Sequence, residues 1–228
     1  VLGAALLVWL GISLPLALGW QTLYFRDVFN HFLPFKSFGT AQMLQGRIPA
    51  INPTVGLGQP YRGDPGNLSM YPGNVLFLVF PFWSAFNLHY VLHWLLSFFT
   101  FRALARKLGL GVAGASLAAL TWAGSGWMLS NLSFHNLLVV AAWWPLVLTG
   151  GLLGGRRGIA LGGLACGLAL LGGEPVTATL GLFPLLWLTV SRWGWRRGTA
   201  TAVAVGAVGL VVALPQLVAT WRIMGFSH

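Results

Sequence analysis

Acidic residues are almost missing from this chain. It has 228 residues, of which only 3 are Asp or Glu and 13 are Lys or Arg, and charged residues of both signs make up 7%. A soluble domain carries roughly a quarter charged residues, because its surface must face water. A deficit this large excludes a water-exposed globule and predicts an all-α, polytopic transmembrane helical bundle. Cysteine is scarce as well. Cys166 stands alone inside an apolar run, so no intrachain disulfide can form. There is no Asp-x-Asp pair and no metal-spaced His or Cys cluster. A divalent cation therefore has no motif to hold it, and no cofactor is assigned. Ser-His-Asp sets, phosphate-binding glycine loops and redox motifs are missing too.

What the chain does have is apolar length. Apolar residues make up 57%, and mean hydropathy is +0.77. The pattern predicts about seven spans: 1–19, 74–101, 111–130, 137–154, 158–173, 176–191 and 199–221. Pro81 should break the second. Gly158-xxx-Gly162 and Gly163-xxx-Gly167 predict close helix packing in the fifth. The twelve Trp residues fit interfacial belts. The net charge of +10 does not point to nucleic acid. Eight of the thirteen basic residues fall in three short loops, 102–107, 156–157 and 192–197. Seven spans put all three on one side, which the positive-inside rule makes cytoplasmic. The acids then all lie at the opposite, extracytoplasmic surface. The whole of 1–228 reads as one transmembrane domain. It opens on Val1, already within an apolar run, so the start reads as trimmed. Span one lacks the charged head and small-residue cleavage site of a signal peptide.

The polar stretch 21–73 is the exception to the apolar pattern, and is expected to be a large first extracytoplasmic loop. Residues 28–44 predict one or two amphipathic helices with Phe29, Phe32, Leu33, Phe35 and Phe38 on the apolar side, and Pro34 should break or kink them. From 45 to 72, turn dipeptides predict irregular backbone. Asp27, just past span one, is a candidate general base; a surface ion pair with Arg26 is the plainer alternative. Asp64, in an Asp-Pro-Gly turn, either shapes that turn or helps bind a sugar or metal. Glu174 either caps the sixth span, with Pro175 at the first helical position, or pairs with Arg26, Arg62 or a cation. Arg26, Lys36, Arg47 and Arg62 break the positive-inside pattern and suit a phosphate group. His31 and His135 are expected at the outer face, hydrogen-bonding a phosphate or sugar. His89 and His93, four apart, read as packed residues.

Several segments then occur in a fixed order: RDVFNHFLPF, Gly46-Arg47-Ile48-Pro49 followed by Asn52-Pro53, GLGQP, Tyr71-Pro72-Gly73-Asn74, FRALARKLGLG, WAGSG and WWPLVL. In this order and spacing the chain resembles the YfhO-type bacterial membrane proteins of the GT-C superfamily of glycosyltransferases. The resemblance covers nearly the whole chain. It implies a multi-pass protein of the bacterial cytoplasmic membrane that takes a sugar from a polyprenyl-phosphate donor. The acceptor would be an extracytoplasmic cell-envelope glycopolymer or protein. It implies a catalytic acid in the first loop, which falls on Asp27. Arg26, His31, Lys36, Arg62, Asp64, His135 and Glu174 are then expected at the substrate, beside membrane lipid. Two features depart from the family. Ile51 stands where a Trp usually precedes the Asn-Pro. The family also carries more spans and a soluble region, so the chain reads as an N-terminal membrane module ending at His228. A lipid-linked-substrate transporter or flippase is an alternative, although the acids lie in loops and at span ends rather than at the bilayer midplane. A non-catalytic envelope scaffold is another.

Overall fold

A computed structural model describes residues 2–225; the first residue of span one and the end of the chain at His228 lie outside them. The fold is mostly helical. In chain order the α-helices are α1 (Leu2–Ala17), α2 (Leu33–Met43), α3 (Leu76–Val79), α4 (Phe82–Lys107), α5 (Val112–Ala123), α6 (Gly126–Ser130), α7 (His135–Leu153), α8 (Gly155–Leu171), α9 (Pro175–Leu180), α10 (Leu182–Trp193) and α11 (Trp195–Met224). Each of the seven apolar segments is helical. Among the described residues, only α7 and α11 are long and apolar enough to cross a membrane by themselves.

Helix α4, at 26 residues, has the length but not the hydropathy, since Asn87, His89 and His93 lie in it; other segments are cut short by local breaks. Pro81 separates α3 from α4, as expected, because proline cannot donate the helical bond. The third apolar segment breaks at Gly124-Ser125, where the Ser125 hydroxyl accepts from the Met128 amide at 3.2 Å and starts a new helix. The sixth breaks at Gly181, between α9 and α10. Gly181 packs directly on the Trp144 indole, and a Cβ there would collide with the ring.

Helices α4, α7, α8 and α11 pack in sequence, with α5 on α4 and α10 against α7 and α11. The glycine pairs do what their spacing predicts. Gly158 and Gly162 of α8 meet Gly150 of α7 backbone to backbone. Gly163 and Gly167 take Val208 and Val212 of α11, and Cys166 lies buried against Gly209. Small residues let helix axes approach where lipid offers no hydrophobic drive.

The two ends of the bundle differ. At one end, Trp193 Nε1 donates to the Gly151 carbonyl at 3.1 Å, and the Arg192 and Arg197 guanidiniums lie 4.7 and 4.4 Å from the Trp193 ring centroid. The basic turns α7–α8 and α10–α11 therefore meet. At the other end, Asn136 Nδ2 donates to the Gly173 carbonyl at 3.3 Å, and Gly173 sits against Pro65. The long loop, the start of α7 and the end of α8 gather there.

That loop is ordered. Residues Val28–Phe32 form a π-helical turn that leads directly into α2. Pro34 does not break this helix. It follows the π-helical turn within one continuous helical run, and that wider turn, closed by the Leu33 amide on the Val28 carbonyl, accommodates the residue that has no N–H. Farther on, Ile51–Asn52 and Gln59–Pro60 pair antiparallel, Ile51 opposite Pro60 and Asn52 opposite Gln59, and the remainder is turns and short 3₁₀ segments. Leu68 and Tyr71 bury against Val139, Leu171 and Ala213, so the loop shares a core with α7, α8 and α11.

Candidate functional site

Of the three acids, two are tied up by backbone. The Asp64 carboxylate accepts from the Gly66 amide at 2.9 Å and caps a 3₁₀ turn. The Glu174 carboxylate accepts from the Thr177 amide at 2.6 Å and caps α9, with Pro175 at the first helical position. Both take the capping role that their sequence context allowed. Asp27 differs. It occupies the position before the π-helical turn, half-buried, and its carboxylate makes no capping bond and no ion pair among the described residues.

The residue before it is strained. Arg26 has φ 46°, in the left-handed region that costs a non-glycine residue about 1–2 kcal/mol. Its guanidinium lies 5.3 Å from the Phe25 ring centroid and leaves Asp27 unpaired. The turn after Asp27 is anchored by Val28 and Phe32, which bury against Phe86 and Leu138. Phe29, on the open side, lines a groove of about 640 Å³ with Asn30, Leu33, Pro34, Ser37, Phe82 and Trp83. This groove runs between the loop and the start of α4, and its walls are mostly apolar and aromatic. His31 stacks beside Phe35 at 4.5 Å and remains half-buried.

Beneath the loop lies a polar layer that sequence reasoning did not assemble. Lys36 of α2 is buried, and its Nζ donates to Asn74 Oδ1 at 2.8 Å. Asn74 is fixed in turn, because its Nδ2 donates to the Leu68 and Ser69 carbonyls. Burial pushes the Lys36 ammonium down to about 7, since no acid stands beside it to repay its desolvation. His135 is not at the open outer face; it is fully buried at the start of α7, 3.9 Å from the His89 ring centroid and in contact with Phe32, Phe86 and Tyr90. His89 stacks on His93 at 4.3 Å.

One hydrogen-bonded chain in this layer has fixed directions. Trp143 Nε1 can only donate, and it reaches Tyr71 Oη at 2.9 Å. Tyr71 Oη meets His93 Nε2 at 2.6 Å, and His93 Nδ1 meets the His89 carbonyl at 2.6 Å. A carbonyl can only accept, so His93 carries its proton on Nδ1 and the tyrosine donates to Nε2. Burial, partly offset by the Trp143 bond, pushes the Tyr71 hydroxyl up to about 12, so it keeps the proton it donates. Both ring nitrogens of His89 and His135, and the Tyr90 hydroxyl, have no partner among the described residues. His89 and His93 are stacked and His135 is tilted against His89, and no group of three or more His, Cys, Asp or Glu among the described residues is placed to hold a metal ion.

Arg62 lies elsewhere. It lines a second cavity, of about 320 Å³, between the loop and α11, and this cavity shares no residue with the groove. Arg47 pairs with the Gln45 side chain. The His89-xxx-His93 spacing was visible in the sequence, but its third imidazole, His135, arrives from another helix. Tyr71, Asn74 and Trp143 fall in segments that carry the family resemblance, but nothing in the sequence pointed to this hydrogen-bonded layer. Comparison with protein-family models, with curated proteins and with solved structures finds no match for this chain.

Proposed function

We propose that this chain is the membrane module of an inverting glycosyltransferase with about seven spans in the bacterial cytoplasmic membrane. It takes a sugar from a polyprenyl-phosphate donor and delivers it, on the extracytoplasmic face, to a cell-envelope acceptor. The observation that carries this reading is Asp27: the one acid not spent on a cap, half-buried, and two residues from an apolar groove. In this scheme Asp27 takes the proton from the acceptor hydroxyl as that oxygen attacks the sugar's anomeric carbon. The bond from carbon to phosphate oxygen breaks, and its electron pair leaves with the lipid phosphate. Arg26, adjacent in the chain and solvent-exposed, meets the charge developing on that phosphate. The groove between α2 and α4 receives the prenyl chain.

The test is sugar transfer from a panel of polyprenyl-phosphate donors by purified protein, alone and with the chain extended past His228. A positioned base contributes about 10²–10⁴-fold. Asp27→Asn keeps the shape and removes the basicity, so transfer should fall by that factor with folding unchanged. Full activity in Asp27→Asn would sink the assignment.

One observation favours a different reading. Lys36, His89, His93 and His135 form a buried ionisable layer between the loop and the helices, and such layers mark substrate or proton pathways in transporters. A transporter would move its substrate across proteoliposomes in a manner that His89→Ala abolishes and Asp27→Asn spares. The transferase predicts the reverse sensitivity.

A further inference from the structure

The cavity between the loop and α11 brings two like charges into one lining. Arg62 and Arg222 both line it, and no acid does. The placement of Arg62 is enforced. Its carbonyl accepts from Gln216 Nε2 at 3.0 Å and from Ser69 Oγ at 3.0 Å, and the next carbonyl, of Gly63, accepts from Thr220 Oγ1 at 2.8 Å. Gln216 and Thr220 are one turn apart on α11, and they bond to each other at 3.2 Å. Gly63 lets the loop backbone lie flat on that helix; a Cβ there would fall 2.7 Å from Ile223 Cγ2 and 2.9 Å from the Ala219 carbonyl. Arg222 follows two residues after Thr220, so the bonds that fix Arg62 also fix which part of α11 it faces.

The acid nearest in sequence is taken out of play. Asp64 turns its carboxylate back to the Gly66 amide. Neither guanidinium has a hydrogen-bond or ion-pair partner among the described residues. Met70, Pro215, Val218 and Ala219 supply an apolar wall beside the two charges. Paired guanidiniums suit a tetrahedral oxyanion, which they can bind through several charge-assisted bonds. An apolar wall beside them suits the chain that carries such a group.

We infer that Arg62 and Arg222 form a phosphate-binding site that takes the phosphodiester headgroup of an anionic membrane lipid, with the lipid's chain against Pro215, Val218 and Ala219. The site is separate from Asp27 and does not depend on the transfer reaction.

The experiment uses the full chain in phosphatidylcholine nanodiscs. Short-chain phosphatidylglycerol, glycerol phosphate and inorganic phosphate are titrated separately, with binding read by native mass spectrometry and thermal shift. Phosphatidylglycerol should bind the wild type. Each of Arg62→Gln and Arg222→Gln should weaken it roughly tenfold, the worth of one lost charge-assisted contact. Arg157→Gln, at the start of α8 and so at the other end of the bundle, should leave binding unchanged. Arg62→Lys and Arg222→Lys keep the charge and guard against a folding defect; each should retain more affinity than the corresponding Gln variant. Phosphatidylglycerol binding that is unaltered in both Gln variants, or absent in the wild type, overturns the site. Equal binding of inorganic phosphate supports the phosphate chemistry and overturns the lipid source.

Discussion

Lys36 should make the stability of this protein rise with pH. In the unfolded chain its ammonium titrates at 10.5, and in the folded protein burial brings it down to about 7. Below pH 7 both states carry the proton, and the full cost of burying the charge is present. Between pH 7 and 10.5 the unfolded state holds a proton that the folded state has released, so stability grows with pH. Each unit of separation is worth about 1.4 kcal/mol, which sets a ceiling of about 5 kcal/mol over the whole window. From pH 7 to 9 the gain is then about 2–3 kcal/mol, or roughly 5–10 °C in Tm for a chain of this size. The assay is thermal unfolding in detergent across that range, with two variants. Lys36→Met removes the titrating group. It also leaves Asn74 Oδ1 unpaired, at a cost of about 1–3 kcal/mol that does not vary with pH. Lys36→Arg keeps a charge that does not titrate. Both variants should lose the rise that the wild type shows. Equal slopes in wild type and Lys36→Met would refute the argument, because the slope would then belong to other groups.

Three more outcomes are expected. Tyr71→Phe and Trp143→Phe each cut the bonded chain to His93 and should destabilise by about 1–3 kcal/mol; the double variant should cost less than the two combined, measured by the same unfolding assay. Gly162→Leu should wedge α7 and α8 apart at Gly150 and abolish folded, monodisperse protein on size exclusion, whereas Gly206→Ala, with open space around it, should be tolerated. In a Cys166→Ala background, single cysteines at positions 64 and 157 should label from opposite faces of the membrane; labelling from one face would remove the topology on which the glycosyltransferase reading depends.

What the sequence determined by itself was set by short-range chemistry. The scarcity of charge predicted an all-α architecture. Pro81, Pro175 and the glycine spacings marked where helices start, break and approach, because proline and glycine act through their own backbone. The Asp-Pro-Gly and Glu-Pro contexts already contained the caps that Asp64 and Glu174 provide. Pro34 shows the limit of even that kind of argument: a proline expected to break or kink the helix is carried within it behind a π-helical turn, which no local pattern announces.

The tertiary structure decided which distant residues share a dry environment. His135 is 46 residues from His89, and Lys36 is 38 residues from the Asn74 that it bonds. No local pattern encodes such pairings, because they depend on how α2, α4 and α7 stack. It also separated the acids. In sequence, Asp27 was the candidate base, while Asp64 and Glu174 each stood between a capping role and a binding role. In the fold, two are satisfied by amides one turn away, and Asp27 stands free because the strained turn at Arg26 directs its neighbour elsewhere. The meeting of Arg62 and Arg222 at one cavity has the same origin: they are 160 positions apart in the chain, and the bonds from Gln216 and Thr220 bring them together there.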